Sequence, residues 1–254
     1  MKLKNKSKKE QKGITLIALV ITIIVLLILA GVSIAMITGN NGILTQANDS
    51  KEETTLAERR EKLKLLQQEA YMEEYNNAKT ELTEEEATDL GWTENGYLEY
   101  SGNESTIYIP SKVGKKETNL FMIKDNSEIT KIVVPGDIKD LSNCKFSNLP
   151  NLEVVILKEG ISKTGQIMFN NCKKLEYLTL PSTLTEIQGF AFEASNIKDI
   201  TIPKSVTTIG TGIFGWCENP ATIHCEVESK PTGWNDDWLK YAPEGTTVDW
   251  GYTR

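Results

Sequence analysis

The chain has 254 residues, 39% of them hydrophobic and 25% charged, with a formal net charge of −7, enough for one sizeable domain or two small ones. Four cysteines in that length exclude a scaffold built on disulfides. The charge is unevenly spread: residues 1–12 hold six Lys against Glu10, a net +5, which leaves −12 on the rest and argues against nucleic acid or an anionic lipid surface as its partner.

After this basic leader, residues 1–13, comes an apolar run from Ile14 to Thr38, 25 residues without Asp, Glu, Lys, Arg or His. As a helix at about 1.5 Å per residue it reaches about 37 Å, past the roughly 30 Å of bilayer hydrocarbon, so it is expected to be a transmembrane helix. The lysines in front of it have no counterpart behind it. The positive-inside rule therefore predicts a cytoplasmic leader, with everything after the helix outside the cell.

The junction Lys12-Gly13-Ile14-Thr15-Leu16-Ile17, a Lys-rich leader ending in Gly before an uninterrupted apolar helix, resembles the prepilin-type signal of type IV pilins and pseudopilins. The resemblance implies that prepilin peptidase cuts between Gly13 and Ile14 and that Ile14 becomes the mature, N-methylated terminus. It also implies a filament subunit as a second function class. Pilins usually carry Glu at the fifth mature position, and this chain has Ala18 there.

Residues 39–78 are expected to form a helical stalk. It opens on Gly39-Asn40-Asn41-Gly42, a break in the helix. It then carries charges of alternating sign and a narrow apolar stripe of Leu56, Leu63, Leu66 and Ala70. That stripe either rests on the head or packs against other subunits. Residues 79–106 read as an acidic linker, and Glu84, Glu85, Glu86 and Asp89 lack the spacing of a calcium loop.

Residues 107–227 are a repeat array. Its four clear units read Ile129-x-x-Ile132-x-Val134 with Phe146, Leu152-x-x-Val155-x-Leu157 with Phe169, Leu175-x-x-Leu178-x-Leu180 with Phe192, and Ile197-x-x-Ile200-x-Ile202 with Phe214. The Phe-to-Phe steps are 23, 23 and 22 residues. A period of this size with an L-x-x-L-x-L strand predicts a leucine-rich repeat β-solenoid, each unit covering the apolar side of the next. A degenerate unit around Ile109-Pro110, Val113 and Phe121 leads the array, and a strand at Ile223-x-Cys225 trails it. The Leu180-Pro181 step and the Ala191-Phe192 pair resemble the BspA-like repeats of bacterial surface proteins, which implies an extracellular binding head.

Residues 228–254, with Trp234, Trp238, Tyr241, Trp250 and Tyr252, are expected to cap the last coil; their rings are also of the kind that stacks on sugars. Cys172 and Cys217 fall three residues after a repeat Phe and read as core residues, with a Cys217–Cys225 pair left open. No metal or cofactor is expected, since His224 is the lone His and there is no C-x-x-C. With no Gly-rich phosphate loop and no nucleophile elbow, no enzyme is expected either.

The residues between the strand consensus positions project outward. They form a candidate binding strip of Lys131 and Val133, Val154 and Ile156, Tyr177 and Thr179, and Asp199 and Thr201. Its centre is apolar where a solvated face is polar. Either Val154, Ile156 and Tyr177 anchor an unknown protein or glycan, or the stalk helix or a loop of the same chain covers them. A membrane-anchored binding protein and a pilin-like structural subunit are the two function classes that remain.

Overall fold

The computed structural model describes residues 80–253, together with Thr55, residues 57–62, Lys64, Leu65 and Gln68. The Gly13-Ile14 junction, Ala18 and the apolar run 14–38 lie outside the described residues, as does most of the stretch 39–78. Among the described residues no helix is long and apolar enough to cross a membrane. Arg59–Arg254 forms one compact unit, and it contains the repeat array.

That array is a leucine-rich repeat β-solenoid. Because each repeat places an apolar residue at the same point of its strand, parallel neighbours line up like on like. Strands Thr106–Tyr108, Lys131–Val134, Val154–Leu157 and Tyr177–Thr179 bring Ile107, Ile132, Val155 and Leu178 into register. Strands Asp199–Ile202, Thr222–Cys225 and Thr247–Trp250 do the same for Ile200, Ile223 and Val248. The partner offsets are 23 residues in the middle and 25 at both ends, from Ile107 to Ile132 and from Ile223 to Val248. Alternate residues of these strands, among them Ile132, Val134, Val155 and Leu157, enter one continuous core.

The repeat phenylalanines fill the far side of each coil. Phe121, Phe146, Phe169, Phe192 and Phe214 are at most 1% exposed and follow one another with ring centroids 5.2, 5.4, 6.4 and 5.4 Å apart. Beyond each Phe the chain turns through a left-handed residue: Asp125, Asn148 and Asn171 hold φ of 53°, 53° and 59°, which Asn and Asp tolerate better than other side chains. Their side chains also form a ladder, Asn148 Nδ2 donating to Asp125 at 2.9 Å and Asn171 Nδ2 to Asn148 at 3.0 Å. At another corner two coils touch backbone to backbone. A Cβ on Gly136 would stand 1.6 Å from the Glu159 carbonyl oxygen, so only Gly fits there.

Both ends differ from the sequence expectation. Residues 80–106 hold regular structure where the sequence suggests a linker. Thr83 caps a helix Glu84–Asp89 reciprocally, its hydroxyl accepting from Glu86 N at 3.1 Å while Glu86 Oε2 accepts from Thr83 N at 2.8 Å. The three glutamates thus form a first turn, where negative charge meets the positive end of the helix dipole. Trp92, Leu98 and Tyr100 join the main core, and strand Leu98–Tyr100 pairs in parallel with Phe121–Lys124. At the other end, residues after 228 supply a further coil as well as a cover. Strand Thr247–Trp250 continues the sheet, while Trp234 and Trp238 are 2% and 5% exposed and Trp234 Nε1 donates to the Val206 carbonyl at 3.1 Å.

Candidate functional site

The period-two alternation that sends Ile132 and Val155 inward turns Val133, Val154 and Ile156 to the outer face of the sheet, where they form a second apolar cluster with Tyr108 and Tyr177. The three aliphatic residues are 2%, 7% and 4% exposed. An uncovered sheet face would leave them in water, so their burial fits the alternative in which another part of the same chain lies over them. Of the other strip residues, Lys131, Tyr177, Asp199 and Thr201 are half-buried. Thr179, in register with Ile156, is buried and accepts from the Leu157 N–H at 3.1 Å, a bond between neighbouring strands.

Basic residues of the helical stretch 57–62 lie along the rim of this strip. Arg59 Nε stands 2.9 Å from Glu176 Oε1, and Arg60 Nε stands 3.2 Å from Asp199 Oδ2. Lys62 Nζ lies 4.9 Å from the centre of the Tyr177 ring, within cation–π range. Glu176 and Asp199 belong to successive coils, so the stretch crosses from one repeat to the next and does not follow a single strand.

One end of this contact is a charged cluster around His224, whose side chain is 5% exposed. His224 Nδ1 lies 3.0 Å from Asp249 Oδ2, its Nε2 lies 3.4 Å from Asp199 Oδ2, and Arg60 Nη2 hydrogen-bonds the same Nε2. The Tyr252 ring packs on the imidazole at 4.4 Å and takes the Arg60 guanidinium at 5.4 Å. Burial drives the imidazole towards its neutral form, but hydrogen bonds to Asp199 and Asp249 hold the proton on, and the balance lies above the ordinary histidine value.

The sequence treats His224 as a residue without partners. What hides them is the 25-residue step to Asp249, which faces His224 directly on the added strand. A stack of Phe190, Trp216 and Tyr241 also has no marker in the sequence: its rings lie 5.5 and 4.9 Å apart, and Trp216 and Tyr241 are more than half exposed.

All four cysteines are free and buried, so Cys217 and Cys225 are not paired. Burial pushes the thiols of Cys144, Cys172 and Cys225 up to about 12, leaving them unreactive. Among the described residues no group of three or more His, Cys, Asp or Glu side chains is placed to hold a metal ion.

A family model described as "BspA type Leucine rich repeat region" matches residues 92–223 in six copies. The crystal structure of a leucine rich cell surface protein from Faecalibacterium prausnitzii A2-165 is 23% identical, with a TM-score of 0.29, over 57% of this chain. The match spans 55% of that protein's length. No curated protein matches the chain significantly.

Proposed function

The chain belongs to the BspA-type leucine-rich repeat family, and on that premise we propose that it is a membrane-anchored extracellular protein, not an enzyme, whose repeat head binds a protein or glycan partner in adhesion or another surface interaction. The observation that carries this reading is the outer face of the parallel sheet. Val133, Val154 and Ile156 stand there side by side with Tyr108 and Tyr177, an apolar group that is buried as the chain stands and that a partner meets once the helical stretch along its rim moves aside. In this reading residues 14–38 are the anchor, in a single span with the head outside, and prepilin peptidase removes residues 1–13.

A second reading, a pilin-like or pseudopilin subunit of a surface filament or secretion system, is favoured by the Lys12-Gly13-Ile14 junction. Ala18, at the position where pilins usually carry Glu, weighs against it. Fractionation of producing cells separates the two. The anchored protein stays with the membranes after shearing, resists carbonate extraction and begins at Ile14. Recovery in sheared filaments would replace the first reading with the second, and a chain still beginning at Met1 would remove the processing step from both.

A further inference from the structure

We propose that the helical stretch bearing Arg59, Arg60 and Lys62 is a releasable cover over the apolar sheet face, with Arg60, Asp199 and His224 as a clasp that loosens in acid. The clasp stands on the geometry around His224 alone; only its consequence, that acid exposes the binding face, rests on the function proposed above.

The groups that face the imidazole come from three elements. Asp199 lies on the strand of the preceding coil, Asp249 and Tyr252 lie on and just after the strand of the next, and Arg60 approaches from the helical stretch. Cys225, beside His224 on its own strand, enters the main core instead. With the Nδ1 hydrogen donated to Asp249, the Nε2 lone pair is what accepts from Arg60 Nη2. A proton arriving from solvent at Nε2 removes that lone pair. Two donors and two positive charges then face each other across a hydrogen-bond distance.

The new N–H turns to Asp199 Oδ2, the same oxygen that Arg60 Nε holds at 3.2 Å. Imidazolium and guanidinium therefore compete for one carboxylate. The Arg60 charge lowers the histidine's proton affinity, and by reciprocity the proton must weaken the hold of Arg60. Asp199 and Asp249 remain with the histidine, so the head keeps its fold while the cover loses one of its ties. Arg59–Glu176 and Lys62–Tyr177 do not involve His224, which makes the release partial.

The test is a spin-label distance in the full chain, with nitroxides on Glu61→Cys and Glu153→Cys, both exposed positions. The native thiols are buried and do not compete for the label. Between about pH 8 and about pH 5 the parent should gain a longer-distance population by at least about fivefold, the low end of ordinary coupling between sites. His224→Gln should show the same distribution at both pH values. Arg60→Ala should show the longer population at both, and Asp249→Asn, which loses a carboxylate holding the proton, should move the transition to lower pH. A parent distribution that does not change with pH, or a His224→Gln variant that changes as the parent does, overturns the clasp. Neither readout depends on partner binding or on the membrane anchor, so the clasp and the function proposed above fail separately.

Discussion

Truncating Phe192 to Ala takes a fully buried ring out of the middle of the phenylalanine column, between Phe169 at 6.4 Å and Phe214 at 5.4 Å. Phe→Ala in a packed core costs about 3–5 kcal/mol. Phe121 is equally buried but has one ring neighbour in the column, Phe146 at 5.2 Å. Phe121→Ala should therefore cost less, by about one aromatic pair or roughly 0.5–1.5 kcal/mol. A degenerate leading unit suggests a larger gap, yet its burial is as complete as that of the central coils. Urea unfolding followed by tryptophan fluorescence measures both losses, because Trp234 and Trp238 are buried in the last coil. In a stack held together by nearest-neighbour contacts, the Phe192 variant should also unfold over a broader range than the Phe121 variant. A loss below about 1 kcal/mol for Phe192→Ala, or a larger loss for Phe121→Ala, would refute the column as the spine of the core.

Gly136→Ala should be among the most damaging single substitutions, since the new Cβ would meet the Glu159 carbonyl oxygen at 1.6 Å and force two coils apart; a melting temperature close to that of the parent would contradict the close approach. His224 gains proton affinity on folding, so its contribution to stability is full below its unfolded value of 6.5 and is lost as pH rises through the folded value. The melting-temperature deficit of His224→Gln should accordingly be largest in acid and shrink towards alkaline pH, and a deficit that grows with pH would reverse the assignment of Asp199 and Asp249 as the groups that hold the proton.

The middle of the solenoid is legible because its period is regular: Phe146, Phe169, Phe192 and Phe214 recur at 23, 23 and 22 residues, and each apolar strand position meets its like. The ends are obscured by longer steps. Ile107 to Ile132 and Ile223 to Val248 are both 25 residues, so the strand Thr247–Trp250 looks like part of an aromatic tail and Asp249 has no visible link to His224. The capping box at Thr83 and Glu86 is present in the sequence as T-x-x-E, but the density of acidic residues draws attention away from it. Period-two alternation does assign Val133, Val154 and Ile156 to the outer face. It cannot say what lies over them, because the contacts of Arg59, Arg60 and Lys62 join segments more than a hundred residues apart and leave no local pattern.

Binding of the purified protein to cells or matrix, parent against Tyr177→Asp, tests most directly whether the outer sheet face is the head's partner site. Tyr177 is half-buried at the edge of the apolar cluster with the Lys62 ammonium over its ring, so the variant should fold with an unchanged circular dichroism spectrum while placing a carboxylate at the margin of the face that a partner meets once the stretch bearing Lys62 has moved aside. Loss of surface binding by a folded Tyr177→Asp is the expected result; binding equal to that of the parent would contradict it.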